Sequence, residues 1–183
     1  WGKSYVYFIA CKLFRETGAG PTLIVSPLIS LMRNQVASAK RMGLLSATIH
    51  HLNKDEWPEI TAAFKSNQLD LLLVSPEKYT DVQFRQEMLS GVTTSMLVID
   101  EAHCISEWGH DFRPDYRRLI DLVRMVRPAP VLACTATATA EVRADIVRQL
   151  GLADPRVVVR GFRRPNLFLA VERAGGRADK LQR

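Results

Sequence analysis

Met96-Leu97-Val98-Ile99-Asp100-Glu101-Ala102-His103 is the stretch on which the reading of this chain turns. Four apolar residues without a polar interruption describe a strand buried on both faces, the kind found in parallel sheets. In such sheets ligands collect beyond the carboxyl ends of the strands. An aspartate placed there can hold Mg²⁺, usually through water, and an adjacent glutamate can orient or activate an attacking water. Acidic residues also cap helices in many proteins that bind no metal, so the tetrad gains its meaning from what surrounds it.

Working outward, three more apolar runs have the same character: Thr22–Ser26 (TLIVS), Leu69–Ser75 (LDLLLVS) and Val131–Thr135 (VLACT). Each is followed by a helical pattern. Leu28, Leu31, Met32, Val36 and Ala39 recur at helical spacing; a helix is expected from Glu77 to Leu89; Tyr116, Leu119, Ile120 and Val123 mark another; Thr139–Leu150 reads as a helix closed by Gly151. Strands alternating with helices predict an α/β fold with a parallel sheet covered by helices on both faces. Ser26, Ser75, Asp100 and Thr135 all end strands and should share one edge.

The chain opens with Gly2-Lys3-Ser4. A phosphate-binding loop needs glycine for close backbone approach, lysine for the β- and γ-phosphates and a hydroxyl for Mg²⁺. Only the end of that pattern is present, and Gly-Lys-Ser alone is a weak signal. Tyr5–Phe14 is apolar enough for the buried helix such a loop requires.

Composition bounds the alternatives. The chain has 183 residues, 47% hydrophobic and 24% charged, as in an ordinary globular domain. No apolar run approaches a membrane span, and nothing reads as a signal peptide. Cys11, Cys104 and Cys134 are odd in number and far apart, which reads as reduced thiols rather than disulfides or paired metal ligands. The net charge of +6 comes entirely from residues 143–183, which hold 10 basic and 4 acidic side chains. That surplus fits either DNA contact or a solvated connector. Trp1 in place of a starting methionine reads as a fragment of something longer.

Asp100-Glu101-Ala102-His103 resembles the Walker B tetrad of superfamily 2 helicases. Cys104-Ile105-Ser106-Glu107-Trp108-Gly109-His110-Asp111-Phe112-Arg113-Pro114-Asp115-Tyr116-Arg117 resembles the aromatic-rich loop of the RecQ family. Ser26-Pro27-Leu28-Ile29-Ser30-Leu31-Met32-Arg33-Asn34-Gln35-Val36 is similar to that family's motif Ia, Ser75-Pro76-Glu77 to motif Ib and Thr135-Ala136-Thr137-Ala138 to motif III. Phe162 with Arg164-Pro165-Asn166 resembles the exit from the first motor domain, although Arg163 stands where aspartate is frequent. The matches occur in family order across nearly the whole chain.

The resemblance implies a RecA-like P-loop NTPase domain over residues 1–153, without its first strand and the start of its P-loop. A connector follows at 154–166, and the start of a second RecA-like lobe at 167–183. It implies an ATP-dependent helicase that separates DNA strands with 3′-to-5′ polarity in repair or recombination. ATP and Mg²⁺ are the implied cofactors, and the partners are single-stranded DNA, duplex junctions and the second lobe. A cytoplasmic location is implied, with nucleoid association if the source is bacterial. Gly2, Lys3, Ser4, Asp100 and His103 are implied to meet the nucleotide, Ser4 and Asp100 to hold Mg²⁺, and Glu101 to act as base, with Asp100 and Lys3 in the catalytic set. Ser26, Pro27, Arg33, Gln35, Ser75, Trp108, His110, Phe112, Arg113, Thr135 and Thr137 are implied to contact DNA or couple it to hydrolysis. An aromatic offers a stacking face tolerant of any base, and arginine adds charge. Trp108 and Phe112 could equally pin their loop to the core. Two other readings are a different superfamily 2 motor, such as an RNA helicase, and a non-catalytic nucleic-acid-binding remnant.

Overall fold

The computed structural model describes residues 2–126, 129–161, 166–168 and 170–171. Among the described residues, five strands form one sheet: β1 (Thr22–Val25), β2 (Ser46–Ile49), β3 (Leu71–Val74), β4 (Met96–Ile99) and β5 (Val131–Ala133). All pairings are parallel, in the order β2-β3-β1-β4-β5. The helices are α1 (Lys3–Glu16), α2 (Ile29–Arg41), α3 (Trp57–Lys65), α4 (Val82–Leu89), α5 (Pro114–Arg117), α6 (Leu119–Val126) and α7 (Ala140–Gln149).

β1, β3 and β4 are buried at every position, and their alternating side chains feed two cores. Leu23, Val25, Leu72, Val74, Leu97 and Ile99 face one side, with Phe64 of α3, Met88 of α4, Leu122 of α6 and Ile146 of α7. Ile24, Leu71, Leu73, Met96 and Val98 face the other, with Tyr7, Phe8 and Cys11 of α1 and Met32 and Ala39 of α2. Burial of each such side chain stabilises the fold by about 1.5–3 kcal/mol. The two cores fix the register, because a one-residue slip would exchange them.

β2 is a fifth strand that the sequence pattern did not announce. Its residues Ser46, Ala47 and Thr48 are half-buried at the sheet edge, so no apolar run marks it. α3 was also unannounced; Pro58 starts it and Phe64 anchors it. The helix expected over Glu77–Leu89 is two pieces, a 3₁₀ turn (Pro76–Thr80) and α4. Asp81 separates them, because its carboxylate accepts from Phe84 N at 3.1 Å and so caps α4. The helix expected through Tyr116 and Val123 likewise divides into α5 and α6 at Arg118.

α7 starts as expected, with the Thr139 hydroxyl accepting from Val142 N at 3.3 Å, and ends before Gly151 at φ +60°. Residues 152–161 carry no helix or strand. Of the strand expected at Leu167–Val171, Leu169 lies outside the described residues. Leu167, Phe168, Ala170 and Val171 are exposed and take no strand pairing, having no described neighbour to pack on. Phe162, Arg163, Arg164, Pro165 and residues 172–183 lie outside the described set. No described helix is long and apolar enough to cross a membrane.

Candidate active site

Because all five strands are parallel, their carboxyl ends share one edge. Ser26, Ser75, Asp100 and Thr135 follow β1, β3, β4 and β5 there. The amino end of α1 reaches the same edge. Gly2 caps that helix at φ +80°, a left-handed conformation that glycine adopts freely. Lys3 Nζ donates to Glu101 Oε1 at 2.9 Å and stands 4.0 Å from Asp100 Oδ1. Ser4 Oγ accepts from Tyr7 Oη at 2.9 Å.

Asp100 is 3% exposed. Its Oδ2 accepts from Gln35 Nε2 at 2.7 Å, its Oδ1 from Glu101 N at 3.0 Å, and its carbonyl from Tyr116 Oη at 3.0 Å. Burial pushes its carboxyl above the ordinary range and Glu101 adds to this, while Lys3 and the Gln35 amide pull it back. The site thus holds a desolvated anion that a further cation would stabilise. Glu101 has φ 47° and ψ 46°, a left-handed conformation uncommon outside glycine.

His103 connects this cluster to β5. Its Nδ1 lies 2.8 Å from Thr135 Oγ1 and 3.3 Å from Glu101 Oε2. Burial lowers its pKa against the pull of Glu101, which favours the neutral imidazole. Thr135 Oγ1 accepts from Thr137 N at 3.2 Å, and Thr137 Oγ1 lies 3.5 Å from His110 Nδ1. The His110 ring stacks on His103 with centroids 4.3 Å apart. A chain of contacts therefore runs from Lys3 through Glu101, His103, Thr135 and Thr137 to His110.

The segment after the tetrad folds back on itself. Gly109 N donates to Ser106 O at 3.0 Å and Arg113 N to Cys104 O at 2.8 Å. Arg113 Nη1 donates to Pro27 O at 3.2 Å and Nη2 pairs with Asp111 at 3.1 Å, tying the loop to the end of β1. Trp108 is 75% exposed, beside Glu141, Ala144, Asp145 and Arg148 of α7. Its indole does not pin the loop to the core. Phe112 is half-buried, with the Arg117 guanidinium 5.1 Å from its ring centroid.

Three of the residues expected to contact DNA or couple it to hydrolysis are buried. Gln35 is buried with its amide on Asp100, because α2 turns that side chain toward the end of β4. The Ser26 side chain is fully buried, and Ser75 is buried with its hydroxyl donating to Glu77 Oε1 at 2.7 Å. Arg33 is exposed and Pro27 half-buried. The hydrogen bonds by which Tyr7 and Tyr116 position Ser4 and Asp100 have no signal in the sequence, since a phenol at a helical apolar position gives no sign of its partner.

The DEAD/DEAH box helicase profile matches residues 1–146. The chain belongs to the DEAD/DEAH box helicase family. Within that family its likeness is to RecQ helicases. It is 41% identical over 172 residues to the ATP-dependent DNA helicase RecQ of Bacillus subtilis, covering 93% of this chain and 28% of that protein. It is 42% identical over 166 residues to the probable ATP-dependent DNA helicase RecS of the same organism, covering 90% of this chain and 33% of the relative. The bifunctional 3′-5′ exonuclease/ATP-dependent helicase WRN of Mus musculus is 37% identical over 155 residues, 84% of this chain and 11% of that one. The chain thus spans about a third or less of the length of these relatives. Among solved structures, the Pyrococcus furiosus Hef helicase domain superposes with a TM-score of 0.54 at 17% identity, over 82% of this chain and 31% of that one, and shares its fold.

Proposed function

We propose that this chain is the nucleotide-binding first motor domain of an ATP-dependent 3′-to-5′ DNA helicase of RecQ type, acting in repair and recombination. On this reading residues 1–153 form the domain, 154–166 a connector and 167–183 the start of a second RecA-like lobe that closes the ATP cleft. The contact chain from Lys3 to His110 carries the proposal, because it joins the phosphate-facing lysine to the aromatic loop through the tetrad. The DNA helicase names of the relatives support the choice of substrate.

The residues fit Mg-ATP. Asp100 and Ser4 offer oxygen donors of the kind Mg²⁺ takes, and burial holds the Asp100 carboxyl above its ordinary range, so a bound cation would stabilise its charged form. When bound, Mg²⁺ neutralises charge on the β- and γ-phosphates. Gly2 and the amino end of α1 supply backbone N–H groups and a favourable dipole for phosphate. With nucleotide bound, Lys3 would exchange its Glu101 partner for phosphate oxygen, which would free the Glu101 carboxylate to accept a proton from water. His103, neutral and held by Thr135, keeps Glu101 in register with β5. A base stacked on Trp108 is worth about 1–3 kcal/mol, enough to shift a loop between two arrangements of similar energy. Arg113 would carry that shift to the end of β1 through Pro27.

Trp108→Ala and Arg113→Ala in the full-length protein test this reading. ATP turnover is measured with and without single-stranded DNA, beside a DNA titration at fixed salt. Stimulation by DNA should be blunted in both variants. ATP binding should persist, and DNA affinity should fall only modestly, since backbone contacts supply much of it. Undiminished stimulation in both would reduce the loop to a structural element and remove the coupling role.

A further inference from the structure

His103 and Cys104, next to the acidic pair, and Asp111 of the loop place one ligand atom each within 4.8 Å of one another. Cys104 Sγ lies 3.8 Å from His103 Nε2 and 3.8 Å from Asp111 Oδ2. In a tetrahedral zinc site with bonds of about 2.0–2.3 Å, ligand atoms stand roughly 3.3–3.8 Å apart. The three groups are therefore nearly at coordinating separation before any ion arrives.

The surroundings favour a metal as well. His103 uses Nδ1 toward Thr135 Oγ1, with the Glu101 carboxylate 3.3 Å away, which leaves Nε2 directed at Cys104. A carboxylate or hydroxyl on the far nitrogen is how metal-binding histidines are held in tautomer and orientation. A thiol with an imidazole and one carboxylate selects thiophilic ions such as zinc or cobalt(II), whereas Mg²⁺ seeks an all-oxygen set. Three protein ligands also leave a fourth position open to water.

We propose that His103, Cys104 and Asp111 form a binding site for a thiophilic divalent cation, separate from the position expected for Mg²⁺. On binding, the Cys104 S–H bond breaks, its proton leaves to solvent and the sulfur lone pair goes to the metal. Asp111 exchanges its Arg113 partner for the ion. The metal then cross-links the tetrad to the loop that carries Trp108. Cys104 is fully buried, but the Asp111 side chain is 47% exposed, so entry is from the loop side. The site rests on this geometry and not on the proposed helicase activity.

The test is optical titration of the chelator-treated full-length protein with cobalt(II). Wild type should gain a thiolate-to-cobalt charge-transfer band and tetrahedral d–d bands, which one further equivalent of zinc abolishes. The difference spectrum between wild type and Cys104→Ser isolates this site from other thiolates in the chain. Cys104→Ser should lose one equivalent of the band, while Cys11→Ser and Cys134→Ser keep it. Asp111→Asn, at an exposed position that does not endanger folding, should weaken cobalt binding at least about tenfold. A wild-type spectrum without the thiolate band, a band that persists in full in Cys104→Ser, or unchanged affinity in Asp111→Asn would each overturn the proposal.

Discussion

Glu101→Gln in the full-length protein is expected to lower ATP turnover by about 10²–10⁴-fold while Mg-ATP still binds. The amide keeps the shape of the side chain, and its oxygen can still accept from Lys3, which donates to Glu101 at 2.9 Å. What it cannot do is take a proton from water. Asp100→Ala should behave differently. That carboxylate is buried and held by Gln35 and the Glu101 N–H, so its loss should remove the anion proposed to face Mg²⁺ and weaken Mg-ATP binding as well. Steady-state hydrolysis beside a fluorescent-nucleotide titration separates the two. Equal loss of binding in both variants would refute the division of labour between the two acids.

Gly109→Ala is expected to bring DNA-stimulated turnover down to the basal rate. A Cβ at this position would stand 2.4 Å from the His103 carbonyl oxygen and 3.1 Å from that of Ser106. Both are backbone atoms, one in the tetrad and one three residues beyond it, so neither can swing aside as a side-chain tip would. The turn closed by Gly109 N on Ser106 O must open, and Trp108 and His110 move with it. His110 then leaves its stack on His103, and the contact chain breaks at its loop end. The global fold should lose no more than about 1–3 kcal/mol, the usual cost of overpacking. Chemical denaturation measures that loss, and hydrolysis with and without single-stranded DNA measures the coupling. Stimulation retained at the wild-type level would show that the turn tolerates reshaping and that the loop geometry is not what transmits DNA contact.

Much of the sheet could be read in advance because three of its strands, at Thr22, Leu71 and Met96, are buried on both sides and so are written as unbroken apolar runs. β2 could not, because an edge strand with Ser46 and Thr48 half-exposed obeys neither the apolar run nor a clean alternation. Helix breaks at Asp81 and Arg118 were also invisible, since helical spacing continues across both while capping and packing interrupt the backbone. In the site, the strand ends placed Asp100 and Thr135 at one edge and the family resemblance gathered Lys3, Glu101 and His103 about the nucleotide; parallel strands explain why they meet. Gln35 shows the limit of that reading. Its motif is contiguous with exposed Arg33, yet two residues along a helix is about half a turn, which sends Gln35 inward to Asp100. The nearness of Cys104 to Asp111 depended on the loop doubling back, which no spacing rule reports.

If Glu101 is the base proposed above, its left-handed backbone sets activity and robustness against each other. At φ 47° a residue with a Cβ holds a conformation that costs roughly 1–2 kcal/mol and that glycine would adopt without penalty. A laboratory evolution campaign that rewards heat resistance alone should therefore drift toward glycine or asparagine at this position, gaining stability as catalysis disappears. A campaign that rewards turnover should hold glutamate there and collect its stabilising changes elsewhere.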